Sequence, residues 1–152
     1  MDIDLAKEKG KQIDAYSQVV TFCLGQEEYA VDIMSVQEIN KMLEYTRVPN
    51  ASKYIRGVIN LRGRIVPIVS LRSKFGMADK EFDKKTRIIV VNLQGIVVGL
   101  IVDSVEEVLS IPEKAIETAP SVTTNIHANY IRGVGKIDER LIILLELNEL
   151  LS

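Results

Sequence analysis

The sequence has few of the residues from which enzyme active sites are most often built. Its 152 residues contain one histidine, one cysteine and no tryptophan. His127 lies in a polar stretch with no cysteine or paired acid nearby, so neither a zinc site nor a histidine-based triad can be assembled. A phosphate-binding loop of the Gly-x-x-x-x-Gly-Lys type is missing as well. The composition therefore argues against an enzyme and predicts neither a cofactor nor a metal ion.

Apolar runs long enough to cross a membrane are also missing. A spanning helix needs about 20 apolar residues, and charged residues or glycine interrupt every apolar run of this chain. Residues 1–18 are rich in charged side chains and lack the apolar stretch of a signal peptide. The single cysteine, Cys23, excludes an internal disulfide and is typical of a reducing compartment. We expect a cytoplasmic protein without direct membrane insertion.

Charge is nearly balanced overall but unevenly distributed. The formal net charge is −2. Residues 45–78 contain basic residues and no acid, whereas residues 88–113 contain acids and no basic residue. A chain of this kind can present oppositely charged surfaces to two partners. Alternatively, the two segments fold beside each other and neutralise one another, and the sequence leaves both interpretations open.

The strongest positive signal is an internal repeat. Tyr-Ile-Arg-Gly-Val at residues 54–58 recurs unchanged at 130–134, and Ser-Val-Gln-Glu-Ile at 35–39 recurs as Ser-Val-Glu-Glu-Val at 104–108. Two echoes in the same order indicate an internal duplication. Apolar alternation and turn residues predict five short strands in each copy. Closing such strands into a barrel would remove the exposed sheet edges that invite aggregation.

We therefore predict an all-β protein of two similar small barrels, each followed by a short helix. The first barrel is expected at about residues 18–78 and the second at about 86–152, with boundaries that can interleave. A flexible N-terminal arm is expected over residues 1–17, which have little apolar surface to pack. A longer loop is expected at residues 112–129.

The two copies differ at their last hairpin turn. Arg62-Gly63 in the first copy is matched by Asp138-Glu139 in the second. The fold does not require the arginine, because the second copy does without it. Arg62 is therefore the best candidate for a functional residue. The alternative is an exposed turn residue that serves only solubility.

Residues that both copies share are assigned to the fold. Gly57 and Gly133 are expected to meet a backbone demand, either a positive φ or a close approach between strands. Arg56 and Arg132 are expected to pack through their stems or to contact a carbonyl. Pro67 cannot donate to a sheet ladder, so its strand is expected to lie at an edge or to contain a bulge.

Four runs of residues carry a family resemblance. They are Tyr-Ala-Val-Asp-Ile at 29–33, Val-Gln-Glu-Ile at 36–39, Ile-Arg-Gly-Val-Ile-Asn-Leu-Arg-Gly-Arg-Ile-Val-Pro-Ile-Val at 55–69 and Val-Gly-Leu-Ile-Val-Asp at 98–103. Together they resemble the bacterial chemotaxis coupling proteins, the CheW family. The element Asn-Leu-Arg-Gly-x-Ile-Val-Pro is specific to that family, and the likeness extends from about residue 18 to the end of the chain.

The resemblance implies two intertwined five-stranded Src-homology-type barrels and an adaptor without catalytic activity. Such an adaptor bridges the cytoplasmic tip of methyl-accepting chemoreceptors and the regulatory domain of the histidine kinase CheA, in arrays at the membrane. The receptor tip would lie in an apolar groove between the barrels. By position, the expected receptor contacts are Val36, Glu38, Arg62, Gly63 and Val105. The expected kinase contacts are Val108 and Gly57.

The main alternative is a small barrel that binds nucleic acid through the basic segment at residues 45–78. Proteins of that kind rely on aromatic stacking and on a positively charged footprint. This chain has no tryptophan, three phenylalanines and a negative net charge. We therefore expect protein partners and no nucleic acid.

Overall fold

The computed structural model describes residues 15–118 and 126–152. The expected arm at residues 1–17 and the expected loop at residues 112–129 lie partly outside the described residues. The first strand begins at Tyr16.

The described residues form eleven strands, two α-helices and three turns of 3-10 helix. The strands are β1 (Tyr16–Leu24), β2 (Glu27–Asp32), β3 (Val36–Lys41), β4 (Ile55–Leu61), β5 (Arg64–Ser70), β6 (Arg87–Leu93), β7 (Ile96–Val102), β8 (Ser104–Pro112), β9 (Ile116–Glu117), β10 (Ile131–Ile137) and β11 (Arg140–Leu145). The helices are α1 (Leu71–Lys74) and α2 (Leu147–Leu150), and the 3-10 turns are Ile33–Ser35, Glu113–Ala115 and Ala128–Tyr130. The two α-helices confirm the predicted short helix after each copy.

The strands form two curled sheets, and each sheet contains strands from both halves of the chain. One sheet has the order β3-β6-β7-β5-β4, and the other has the order β8-β1-β2-β11-β10-β9. The hairpin β1-β2 of the first copy thus joins the sheet of the second copy, and the hairpin β6-β7 of the second copy joins the sheet of the first. This reciprocal exchange intertwines the barrels, and neither sheet is made from residues 18–78 or 86–152 alone.

Each sheet curls until its ends meet. Beyond β3, Thr46 forms an antiparallel bridge with Val58 of β4, at the far edge of the same sheet. Beyond β8, the short strand β9 pairs with β10 at the far edge of the other sheet. In both sheets the residues that follow one edge strand pair with the strand at the opposite edge, as closure into a barrel requires. The prediction of two small barrels is confirmed.

Three apolar clusters hold this architecture together. One fills the first barrel, one fills the second, and the largest lies between the barrels with residues from both sheets. Strand β6 serves two of them, because Ile88 and Val90 pack inside the first barrel whereas Ile89 and Val91 pack between the barrels. A strand that is buried on both faces is apolar on both faces. The inter-barrel core therefore explains the continuous apolar run of this strand.

Pro67 lies in a central strand, so the edge alternative of the expectation is wrong, whereas the pairing of β4 with β5 does contain a bulge-like register shift, between Ile55 and Gly57. Strand β5 pairs with β4 on one side and with β7 on the other. The parallel pairing with β7 begins only at Ile68, directly after the proline. In the second copy the corresponding pairing of β11 with β2 already includes Ile143, which occupies the position of Pro67. The parallel ladder of the first copy thus starts two positions later than that of the second, which leaves the proline, without an N–H, outside it.

Gly57 and Gly133 both lie where a neighbouring chain segment comes too close for a side chain. A Cβ at Gly57 would overlap the backbone oxygen of Thr46 and lie 2.8 Å from Tyr45 Cδ2. A Cβ at Gly133 would lie 2.7 Å from Ile116 Cγ2. The expected backbone demand is confirmed, and it is a close approach of strands.

The two repeated arginines bind carboxylates, so the expected contact with a carbonyl is wrong. Arg56 Nη2 lies 2.5 Å from Asp79 Oδ1, in the segment that links the two halves. Arg132 Nη2 donates to Ser17 Oγ at 2.9 Å and lies 3.6 Å from Glu113 Oε1. Each arginine therefore fastens a segment outside its own hairpin to the barrel.

Candidate functional site

The turn between β4 and β5 presents Arg62 to solvent. Both turn residues have positive φ, 53° at Arg62 and 81° at Gly63, which is the pattern of a type I′ hairpin turn. The side chain of Arg62 is 74% exposed. The predicted position of the turn is confirmed, and a left-handed backbone makes glycine the favoured residue at position 63.

Arg62 forms an ion pair with Glu38, another of the expected receptor contacts. Arg62 Nη1 contacts Glu38 Oε2, and Arg62 Nη2 donates to Glu38 Oε1 at 3.1 Å. Glu38 lies on β3, the neighbour of β6 at the edge of the same sheet. Its side chain is only 17% exposed. The fold thus brings together two residues that are 24 positions apart in the sequence.

Asn40 also donates a hydrogen bond to the Glu38 carboxylate, from Nδ2 to Oε1 at 2.9 Å. The hydrogen bonds from Arg62 and then from Asn40 lower the pKa of Glu38 below its ordinary value. The same ion pair raises the pKa of Arg62. The pair is therefore fully charged at neutral pH.

Val36 and Val105 lie at corresponding places in the two barrels. Val36 is the first residue of β3, and Val105 is the second residue of β8, the matching strand of the other copy. Both are partly buried and pack against the inter-barrel core. The inter-barrel core thus approaches the surface at both valines.

The two expected kinase contacts differ in accessibility. Val108 is 58% exposed on β8, opposite Val20 of β1. Gly57 is buried on β4 against the backbone of Thr46. Only Val108 offers a side chain to a partner.

Sequence reasoning did not single out several exposed apolar residues at the surface. Ile65 and Ile96, the second residue of β5 and the first of β7, are exposed close to adjacent hairpin turns. Arg64 Nη2 donates to the backbone oxygen of Gly95 at 3.3 Å, which links these turns. Met34 is also exposed, in the 3-10 turn before β3. The periodicity of a strand indicates which face is apolar, but it does not indicate which end of that face lacks a covering element.

The basic segment at residues 45–78 is partly neutralised inside the fold. The ion pairs of its arginines are Arg56–Asp79, Arg62–Glu38 and Arg72–Asp103. Asp103 belongs to the acidic segment at residues 88–113, so one pair joins the two segments directly. Mutual neutralisation therefore accounts for part of the uneven charge.

Cys23 and His127 have structural partners. The Cys23 thiol donates to Glu106 Oε1 at 3.3 Å, and burial, followed by this carboxylate, raises the pKa of the thiol to about 11. His127 Nδ1 accepts a hydrogen bond from the Asn129 amide at 3.2 Å and so caps a 3-10 turn. In the part of the chain that the structure describes, no group of three or more His, Cys, Asp or Glu side chains could hold a metal ion.

These features define a class of protein: two intertwined small β-barrels that share an apolar core and carry a surface ion pair. No helix among residues 15–118 and 126–152 is long and apolar enough to span a bilayer. A family model described as "CheW-like domain" matches residues 18–152. The chain belongs to this family.

Individual relatives agree with the family assignment. The chemotaxis protein CheW of Klebsiella aerogenes is 42% identical over 135 residues, which cover 89% of this chain and 81% of that protein. The chemotaxis protein CheW of Bacillus subtilis is 34% identical over 141 residues, which cover 93% of this chain and 90% of that protein. The crystal structure of the scaffolding protein TtCheW from Thermoanaerobacter tengcongensis superposes with a TM-score of 0.84 at 39% identity, covering 90% of this chain and 93% of that one.

Proposed function

We propose that this protein is an adaptor that couples methyl-accepting chemoreceptors to the histidine kinase CheA and catalyses no reaction itself. The observation that carries the proposal is the exposed Arg62, which lies on the family-specific Asn-Leu-Arg-Gly turn and pairs with Glu38 of β3. The second copy has Asp138 at the corresponding turn position. A feature that one barrel has and the other lacks is a feature that folding alone does not require.

The proposed receptor contacts are Val36, Glu38, Arg62, Gly63 and Val105. A guanidinium group has five N–H donors, and Glu38 uses two of those on Arg62. The remaining donors can reach a carboxylate or carbonyl of the receptor tip. A charge-assisted hydrogen bond of this kind is stronger than one between neutral groups. The two valines add apolar surface where the inter-barrel core approaches solvent.

The proposed kinase contacts centre on Val108, whose side chain is exposed on β8. Gly57 would act indirectly, because its missing side chain lets the segment at Tyr45 and Thr46 lie close to β4. The partner on this side is the regulatory domain of CheA.

The same proposal gives the location of the protein. An adaptor of this kind is cytoplasmic and reaches the membrane by binding receptor arrays rather than by inserting into lipid. Transient signalling contacts often bury less than about 1,200 Å². Two modest surfaces therefore suffice to hold receptor and kinase at once.

Co-sedimentation tests the proposal directly. Membranes that contain a chemoreceptor from the same genome are mixed with the purified protein, with and without CheA. The protein should sediment with the receptor membranes and should bring CheA with it. Absence of binding to either partner would overturn the adaptor function.

A matched pair of variants tests the role of Arg62 in the same assay. Asn tolerates the left-handed backbone, so Arg62→Asn and Asp138→Asn place the same neutral residue at turn positions with φ of 53° and 54°. Arg62→Asn should weaken receptor binding about 10-fold or more, and Asp138→Asn should leave it unchanged. Equal effects of the two changes would remove Arg62 from the receptor surface.

Nucleic-acid binding is tested by filter binding of single strands across a salt series. The ion pairs of Arg56, Arg62 and Arg72 reduce the positive charge available to phosphates. Binding through phosphate contacts weakens steeply as the salt concentration rises. We expect to observe no such binding.

A further inference from the structure

An asparagine that the sequence reasoning did not single out holds the turn that carries Arg62. Asn60 Oδ1 accepts a hydrogen bond from the backbone N–H of Gly63 at 2.9 Å. Arg62 lies between these two residues with a φ of 53°. A residue with a long side chain enters this left-handed region at a cost, because its Cβ approaches the backbone. The hydrogen bond of Asn60 offsets part of that cost.

The same device occurs at a second turn of the first barrel. The residues Asn-Leu-Arg-Gly at 60–63 are matched by Asn-Leu-Gln-Gly at 92–95. Asn92 Oδ1 accepts from the Gly95 N–H at 2.9 Å, and Gln94 has a φ of 54°. The two turns thus share backbone and hydrogen bond, and they differ in the side chain that they display. Only the first displays an arginine.

The corresponding turn of the second barrel lacks the asparagine. Lys136 occupies the position of Asn60, and Asp138 has a φ of 54°. Aspartate enters the left-handed region more readily than arginine does. The hairpin of the second barrel therefore forms without an asparagine two residues before the position of positive φ, because aspartate itself tolerates that backbone conformation. Arginine tolerates it less well, and in the first barrel Asn60 stabilises the turn.

We propose that Asn60 is a positioning residue, which holds the Arg62-Gly63 turn in the conformation that lets Arg62 pair with Glu38 while its other donors face solvent. Asn40 serves the opposite end of the pair, since its Nδ2 donates to Glu38 Oε1 at 2.9 Å. The inference rests on the proposed function, because the pair that Asn60 positions is the proposed receptor contact.

The test compares Asn60→Ala with Asn92→Ala, which deletes the corresponding hydrogen bond from a turn without an arginine and, with it, a long contact of Asn92 Nδ2 with Gln37 Oε1 at 3.4 Å. Two quantities are measured on the full chain. One is the pKa of the Glu38 carboxyl from an NMR pH titration. The other is the affinity for a purified cytoplasmic fragment of a chemoreceptor encoded in the same genome. Unfolding by urea shows whether both variants lose similar stability.

Asn60→Ala should raise the pKa of Glu38 towards its ordinary value, because Arg62 is held less firmly beside it. It should also weaken receptor binding about 3- to 10-fold, the range for one lost hydrogen bond. Asn92→Ala should change both quantities much less, because it reaches Glu38 only through Gln37, the smallest contributor to the lowered pKa of Glu38. Asn60→Ser, whose hydroxyl accepts the same bond more weakly, should restore part of both.

Equal effects of Asn60→Ala and Asn92→Ala on the Glu38 titration would overturn the inference and leave Asn60 with a structural role only. If the unaltered chain does not bind the receptor fragment, the proposed function fails, and the Glu38 titration still decides whether Asn60 positions the pair. Should Asn60→Ala not fold, Asn60→Ser and Asn92→Ser are compared in its place, with the same deciding outcomes.

Discussion

Tyr54 and Tyr130, which begin the two copies of the repeated pentapeptide, both contact the ammonium group of Lys74. Lys74 Nζ is 4.4 Å from the ring centre of Tyr54 and 5.5 Å from that of Tyr130. Both rings also pack against the inter-barrel core. In the second copy the position of Lys74 is taken by Leu150, which is buried in that core. Corresponding residues of the duplication therefore meet at one lysine that only the first copy supplies.

Replacing Lys74 should measure how much this contact joins the barrels. Lys74→Met keeps an unbranched stem and removes the charge, so both cation–π contacts are lost. At about 0.5–1 kcal/mol for each contact at an exposed site, we expect the free energy of unfolding to fall by about 1–2 kcal/mol in urea denaturation. Lys53→Met is the control, because Lys53 Nζ lies 5.5 Å from the ring of Tyr54 alone. An equal loss for both variants would contradict a role specific to Lys74.

Asp103 is expected to stabilise the fold more than an exposed carboxylate does. It accepts from Arg72 Nε at 2.8 Å, from Arg72 Nη2 at 2.6 Å and from the Gly25 N–H at 2.8 Å. These contacts join helix α1, the β1-β2 turn and the residue between β7 and β8. Asp103→Asn should lower the free energy of unfolding by about 1.5–3 kcal/mol.

The matched control for Asp103 is Asp79→Asn. Asp79 also pairs with an arginine, but its side chain is 66% exposed, and exposed pairs contribute about 0–1 kcal/mol. Thermal and urea unfolding of both variants give the comparison. A loss at Asp79 as large as that at Asp103 would show that burial does not set the strength of these pairs.

The stability of the protein should depend on pH through the same carboxylate. Burial raises the pKa of Asp103, but the hydrogen bonds from Arg72 and Gly25 outweigh burial and hold the pKa below its ordinary value. A group with a lowered pKa in the folded state stabilises the fold above its unfolded pKa, which for aspartate is about 3.9. That stabilisation is lost as the pH falls through the lower pKa of the folded state.

We therefore expect the free energy of unfolding to decline as the pH falls from about 5 towards 3, and to decline less steeply in Asp103→Asn. Urea denaturation at a series of pH values measures both slopes. Parallel slopes in the two proteins would mean that other carboxylates control the acid sensitivity.

Gly57→Ala should destabilise the protein by about 3 kcal/mol, at the upper end of the range for overpacking. The new Cβ would overlap backbone at Thr46, which cannot rotate away as a side chain can. Gly63→Ala is the control, because a Cβ there meets no atom within 4 Å and encounters only the left-handed φ of 81°. That backbone strain costs about 1–2 kcal/mol. A milder effect at Gly57 than at Gly63 would mean that the neighbouring segment moves freely.

Cys23 should react slowly with alkylating reagents in the folded protein. With a pKa of about 11, only about 1 in 1,000 thiols is ionised at pH 8, and the thiolate is the reactive form. Mass spectrometry after iodoacetamide treatment should show much slower labelling than in the urea-unfolded chain. Glu106→Gln removes the hydrogen-bonded carboxylate and should accelerate labelling. Labelling at the rate of the unfolded chain would contradict the raised pKa.

Local features of the fold were predictable because their signals lie within a few residues. The pentapeptide repeat, the Arg62-Gly63 turn and the short helices after each copy all appear where the pattern predicted them. Strands β3 and β8, which contain the second sequence echo, extend beyond it to Lys41 and Pro112. Strand ends depend on the partner strand, which a local pattern does not identify.

The candidate site was predictable one residue at a time but not as a pair. The mismatch between the copies singled out Arg62, and the family resemblance added Glu38. Neither indicated that the two side chains bind each other, because one lies on an edge strand and the other on a turn three strands away in the sheet order. The interpretation of Pro67 failed for a related reason: a proline excludes one hydrogen bond, and the register of the neighbouring strand decides whether that bond was needed.

The amino-acid sequence by itself determined the duplication, the β-strands and turns, and the residues by which the two copies differ. These follow from side-chain periodicity and backbone preferences, which act over neighbouring residues. The tertiary structure decided which hairpin joins which barrel, that Arg62 pairs with Glu38, and that Lys74 contacts both Tyr54 and Tyr130. These depend on burial of a shared apolar core by segments far apart in the chain, and such burial is a property of the whole fold.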